Sequence, residues 1–313
     1  MKKSFLLMAA LLGAMIWTGC QRVEEESLPP ETGEIPSDTG LRTLTLNAVK
    51  AESPATKGLE MDGDEATSTS LMSIWKAGET VHVYFGGSCI GELTASPNAL
   101  DAHQATLSGT VNVAGITQGV STLILFTPRE SWDYTGQIGK LLVSDDATDS
   151  IEKKYHYTMA SDVLVTGIDG SRVTTEDATF SNQQSIYRMS FRYLTAPETK
   201  TPITVESVTI ESANGHLVQS QVLGGAVTEG PISVSLGTAT TNPFFVALRN
   251  GDVVNDESLT FTVLDDNGVT YVGSKIIPSA YKPNGTFVSL KNATLTTRLE
   301  VSLSSTETTG EVF

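Results

Sequence analysis

Hydrophobic and polar residues alternate along most of this chain with a period of two. In the first such run, residues 41–49, Leu44, Leu46 and Ala48 share one side while Thr43, Thr45 and Asn47 share the other. That is the pattern of a strand with one buried face. A loop of turn and small residues follows, Glu52-Ser53-Pro54-Ala55-Thr56, and then a single basic residue, Lys57. Farther on, Val81, Val83 and Phe85 alternate with His82 and Tyr84, and Gly86-Gly87 turns the chain. More strands are predicted over 90–95, 104–113, 121–126, 140–144, 155–165 and 171–180. The run Thr122-Leu123-Ile124-Leu125-Phe126 is apolar without interruption, which predicts a central strand covered on both faces.

A second series starts near Ser181. Tyr187, Met189, Phe191 and Tyr193 alternate with Arg188, Ser190 and Arg192. Strands are then predicted over 203–211, 216–222, 232–236 and 244–248. Residues 259–264 and 271–277 flank Asp265-Asp266-Asn267-Gly268, a hairpin whose Asn-Gly pair tolerates the positive φ of a tight turn. Two last strands fall over 286–290 and 293–303. In the second of these, Leu295, Leu299, Val301 and Leu303 share a face, with Thr297 its lone polar member. Helical periodicity is scarce, so the predicted class is all-β, with a sandwich in each half. The expected division is an N-terminal domain over 41–180 and a C-terminal domain over 181–313.

The start of the chain supplies an address. Met1-Lys2-Lys3 is basic, Phe5 to Trp17 is apolar, and Thr18-Gly19-Cys20 follows. Residues 1–19 have the layout of a secretory signal, too short to span a bilayer well. The Gly19-Cys20 exit resembles that of a bacterial lipoprotein, with Trp17 where such signals usually carry Leu. On that resemblance Cys20 becomes the first mature residue and carries lipid, palmitate included. Several acyl chains on it would hold the protein firmly at the outer membrane; soluble release is the alternative. Residues 20–40 are poor in large apolar side chains and are expected to be a disordered tether. Within them Gln21-Arg22-Val23-Glu24-Glu25-Glu26 resembles a surface-export signal, or is simply solvated. Cys89 is the one other cysteine, so a lipidated Cys20 implies no intrachain disulfide. With 36 acidic against 20 basic residues, the chain is unsuited to nucleic acid or to an anionic membrane surface.

The stretch Trp75-Lys76-Ala77-Gly78-Glu79-Thr80-Val81-His82-Val83 resembles the fimbrillin family, the type V pilins and related surface lipoproteins of Gram-negative anaerobes. The lipoprotein cysteine, the strand at 41–49, the Lys57 loop and the amphipathic strand at 187–193 follow the family's order. The resemblance implies two tandem transthyretin-like β-sandwich domains and assembly into a cell-surface fimbria by donor-strand exchange. An Arg- or Lys-specific protease would cut after the first strand, at Lys57 or secondarily at Lys50. The removable strand would carry Leu44, Leu46 and Ala48, and another fimbrial subunit would fill its slot. The candidate donor is the C-terminal strand bearing Leu295, Leu299, Val301 and Leu303, or the tail ending Val312-Phe313. It is equally open that this strand pairs only within its own domain, leaving a tip or accessory subunit that accepts without donating.

Other chemistry was weighed against this reading. His82, His103, His156 and His216 lack zinc spacing, and no catalytic motif, cofactor site or metal site is expected. The acidic groups Asp62, Asp64 and Glu65, and Asp145, Asp146 and Asp149, do not fit the twelve-residue calcium loop. Asp149-Ser150-Ile151 resembles a short O-glycosylation site. A lipid-anchored protein that binds glycan and never polymerises is the alternative function, with Trp132 and Tyr134 as the aromatic candidates. Paired carboxylates of a glycosidase need only be close in space, but nothing points to an enzyme.

Overall fold

The computed structural model describes residues 40–50, 59–61, 71–127, 131–141, 149–196, 199–249, 257–277 and 298–305. The expected class is the one found: the regular secondary structure of the described residues is almost entirely strand. In the first half these are β1 (Leu41–Lys50), β2 (Leu59–Met61), β3 (Leu71–Ser73), β4 (Thr80–Phe85), β5 (Ser88–Pro97), β6 (Gln104–Asn112), β7 (Thr122–Thr127), β8 (Ser131–Asp133), β9 (Thr158–Asp169), β10 (Arg172–Thr175) and β11 (Ala178–Asn182). One π-helical turn, Ile151–Tyr155, precedes β9. The second half continues with β12 (Ser185–Ala196), β13 (Thr199–Pro202), β14 (Val205–Ser212), β15 (Val218–Val222), β16 (Val227–Glu229), β17 (Ile232–Thr240), β18 (Phe244–Leu248), β19 (Glu257–Asp265), β20 (Thr270–Ile277) and β21 (Arg298–Ser305).

The first sheet runs β10-β1-β11-β9-β7-β4-β5-β6, and β1 also pairs with β6. The path therefore closes on itself through β1. Its interior holds Leu44, Leu46 and Ala48 together with Val81, Val83, Leu93, Leu107, Leu123, Leu125, Val163, Val165 and Phe180, all buried. Close packing of β5 and β6 depends on glycine. A Cβ at Gly109 would lie 2.0 Å from the Glu92 carbonyl oxygen, and one at Gly91 would lie 2.2 Å from that of Thr110. Leu44 stands opposite Gly109 in the β1–β6 ladder, so this close approach sets the wall against which β1 lies.

The expected strand at 171–180 is two strands, broken at Glu176 and Asp177. Both halves pair with β1, through Thr43 and Leu44 on β10 and through Ala48 to Lys50 on β11. The expected strand at 155–165 begins later, at Thr158, because Ile151–Tyr155 forms the π-helical turn. The hairpin at Asp265–Gly268 is as expected, with Gly268 at φ +79° and its amide donating to the Asp265 carbonyl at 3.1 Å.

The second sheet runs β13-β12-β21-β20-β19-β14-β17, with β18 against β12. Its core is aromatic: Phe191 lies 5.9 Å from Phe244 and 5.6 Å from Phe261. This core also takes in Tyr84, Phe126, Trp132, Tyr134, Tyr155 and Tyr157 from the first half. The expected central strand is thus explained. On β7, Leu123 and Leu125 face the first core, while Phe126 faces the second. The first sheet uses no described residue after Asn182 and the second none before Ser185. Between them, β8 joins β15 in a small three-stranded sheet. Gln137 binds both backbone groups of Ala247, donating to its carbonyl and accepting from its amide at 2.8 Å each.

Candidate functional site: the slot of the first strand

Sequence reasoning singles out β1, and the structure gives β1 neighbours on both edges. It pairs antiparallel with β6 at nine consecutive positions, from Leu41↔Asn112 to Val49↔Gln104. On the other edge it runs parallel to β10 and β11. Burial follows the predicted alternation, with Leu44, Leu46 and Ala48 inside and Thr43, Thr45 and Asn47 exposed. Moving the strand by one residue would turn the leucines outward and the threonines inward, so the register is set by the two-residue period. Each leucine contributes roughly 1.5–3 kcal/mol by leaving water.

The alternation continues one step farther than hydrophobicity reveals. Lys50 shares the parity of Leu44, Leu46 and Ala48, and its side chain is fully buried. Its Nζ donates to the Ile74 carbonyl at 2.8 Å, lies 3.5 Å from Glu79 Oε2, and sits 3.8 Å from the centre of the Trp75 ring. The Lys76 amide donates to the same Glu79 oxygen at 3.2 Å. Trp75 in turn meets Phe180 edge-on at 5.1 Å, and Phe180 is the β11 partner of Lys50. A buried ammonium is costly unless paired and hydrogen-bonded; here a carboxylate, a carbonyl and an aromatic face surround it. Lys50, read from sequence as the second cleavage position, is inaccessible to a protease in this folded state. Lys57, the first, lies outside the described residues, as do Cys20 and the signal and tether segments.

The candidate donor strand is seated in its own sheet. β21 runs parallel to β12 at six positions, from Arg188↔Arg298 to Tyr193↔Leu303, and antiparallel to β20 at Tyr271↔Ser305 and Val272↔Ser304. Leu299, Val301 and Leu303 lie on it; Leu295 lies outside the described residues.

The aromatic candidates for glycan binding are not on a surface. Trp132 and Tyr134 are buried, with Trp132 4.5 Å from Phe126 and the Tyr134 hydroxyl donating to Gln184 Oε1 at 3.0 Å. Arg249 lies 4.2 Å from the Trp132 ring centre. Burial holds its guanidinium below the ordinary arginine range, and the Tyr134 hydroxyl opposes that shift. Ser150 is fully buried, which closes the glycosylation reading in the folded chain. Asp149 pairs with Lys154; Asp62, Asp64, Glu65, Asp145 and Asp146 lie outside the described residues. On β5 the Cys89 sulfur lies 3.6 Å from the Gly91 carbonyl.

No family model and no curated protein matches the chain. Solved structures of similar fold include a candidate cell-adhesion protein from Bacteroides uniformis, 13% identical, covering 84% of this chain and 96% of its own, with a TM-score of 0.39. The fimbrial anchor protein Mfa2 from Porphyromonas gingivalis is 13% identical and covers 84% of this chain and 90% of its own, with a TM-score of 0.38. A candidate adhesin from Bacteroides ovatus is 10% identical and covers 84% and 87%, with a TM-score of 0.39. These structural neighbours are of the adhesin and fimbrial kind; at such identities and scores the likeness transfers neither partners nor activity to this chain.

Proposed function

We propose that the protein is a non-catalytic, cell-surface subunit of a fimbria, exported as a lipoprotein through Cys20 and completed by strand exchange after β1 is cut away. The observation that carries the reading is the seating of β1. It is the closing strand of the first sheet, paired on both edges, with its apolar side chains in the core. It is joined to the rest of the chain through residues 51–58, the stretch that holds Lys57.

The energetics follow from tethering. A strand on a short linker competes at an effective concentration on the order of mM, so a dilute incoming strand loses until the linker is cut. Cutting followed by loss of β1 leaves two unpaired edges, on β6 and on β10 and β11, and such edges invite pairing. A replacement strand regains backbone hydrogen bonds worth roughly 0.5–1.5 kcal/mol each, an instance of strand addition to a sheet. In this reading β21, paired inside its own sheet, must leave it before it can be donated; a subunit that keeps it accepts a neighbour and offers none.

The test is limited digestion of the purified precursor with a Lys-specific protease, read by mass. Cleavage at Lys57 is expected early, with Lys50 protected by burial. The nicked protein is expected to form ladders on unboiled denaturing gels. Early cleavage elsewhere, with Lys57 resistant, would sink the proposal.

A further inference from the structure

We infer that the β1 slot selects its replacement strand by charge as well as by shape, and that the pocket formed by Trp75, Glu79 and the Ile74 carbonyl requires a lysine or arginine from the incoming strand. The inference rests on the strand-exchange reading above. Along the inner face of β1 the slot accepts leucine, leucine, alanine and then a cation, at positions 44, 46, 48 and 50. The first three positions are satisfied by any aliphatic strand of suitable size. The fourth is not. In the closed form Glu79 has only 3% of its side chain exposed, and with β1 gone it would face an empty ammonium site. An apolar residue entering there would strand a carboxylate inside the protein, and a buried charge without its partner is strongly unfavourable.

The same pocket discriminates against a second copy of this chain. In the polarity of β1, the residues that follow Leu299, Val301 and Leu303 on their side of the strand are Ser305, Glu307, Thr309 and Glu311. None is basic. Arg298 has the opposite parity from Leu299, Val301 and Leu303, so any register that brings it inward turns those residues out. In that polarity the partner whose chemistry fits is a strand of a different subunit. It carries aliphatic residues at two alternate positions, a small residue at the third and Lys or Arg at the fourth.

The experiment uses the full chain with a specific protease site placed within 51–58. After cutting, exchange of β1 for labelled peptides is followed in mild denaturant. Three peptides are compared: residues 41–50, the same peptide with Lys50→Met, and residues 294–305. The 41–50 peptide is expected to enter and to be retained, with the Lys50→Met peptide bound roughly 30-fold or more weakly, as for loss of one partner of a buried charge pair. In a Glu79→Gln protein that preference is expected to shrink. Equal retention of the Lys50→Met peptide overturns the charge selection. Retention of the 294–305 peptide as strong as that of 41–50 overturns the exclusion of a second copy. If even the 41–50 peptide fails to exchange, β1 is not a replaceable strand, and the strand-exchange reading falls with this inference.

Discussion

β1 and β21 stand near opposite ends of the described chain and are seated in parallel fashion, yet they are held differently. Each has one parallel and one antiparallel edge. For β1 the antiparallel ladder covers nine positions and the parallel edge is shared by two strands. For β21 the antiparallel ladder covers two positions, and six parallel pairs with β12 carry the rest. β1 also closes its sheet and ends on a buried ion pair. The difference teaches where the first half is committed. Its core lies inside a sheet whose ring β1 completes, whereas the second core is shared among strands of both halves, with Tyr134, Leu141 and the π-helical turn.

The largest expected effect breaks that contrast outright. Deleting residues 41–50 removes two buried leucines, each worth roughly 1.5–3 kcal/mol, along with both ladders. Such a protein is expected to lose cooperative unfolding of the first half, seen in its tryptophan fluorescence, and to regain it when the 41–50 peptide is added in trans. Deleting residues 298–313 is expected to leave the Trp75 environment in place. A Trp75 signal that collapses equally in both deletions would erase the distinction.

A smaller change isolates the anchor at the end of β1. Lys50→Met leaves Glu79 buried opposite a thioether and is expected to cost about 3–5 kcal/mol in denaturant unfolding. Adding Glu79→Gln removes the stranded charge and is expected to restore most of the loss, since a buried ion pair replaced as a whole is often nearly neutral. Failure of the double variant to recover would mean that Lys50 acts through its length and packing rather than its charge.

The smallest effect probes the β21 side. Tyr271 on β20 donates to Asp265 Oδ2 at 3.2 Å. Burial, followed by the Asp265 charge, raises its phenol above the ordinary tyrosine value. The folded state thus holds the proton more tightly than the unfolded one. The resulting stability is complete below about pH 10 and is lost as pH rises through the raised value. Tyr271→Phe is expected to cost on the order of 0.5–1.5 kcal/mol at neutral pH, the net worth of one hydrogen bond, and to abolish that alkaline loss in thermal melts. An alkaline limb unchanged in the variant would assign the effect to another group.

Much of this was legible before any coordinates, because a period of two is enough to say which side of a strand is buried. Leu44, Leu46 and Ala48 on β1, and the doubly covered β7, followed from alternation and apolar continuity alone. Lys50 did not, because hydrophobicity stops speaking at a charged residue. Its parity with Leu44 was nevertheless available, and Trp75 and Glu79, read only as family motif residues, are its partners. The break at Glu176 and Asp177 is set by β1 needing two parallel neighbours, a tertiary demand with no local signal. The burial of Trp132 and Tyr134 likewise depends on β15 and β18, more than 80 residues later in the chain.

The order of parts along the backbone carries one more consequence. Cys20 precedes β1, and the stretch holding Lys57 follows it. In the proposed reading, one hydrolysed peptide bond there would therefore end the covalent link of both the plug and the lipid mooring to the body. A subunit that then lost β1 would also be set adrift, and would depend on the neighbour entering the vacated lane to stay at the surface.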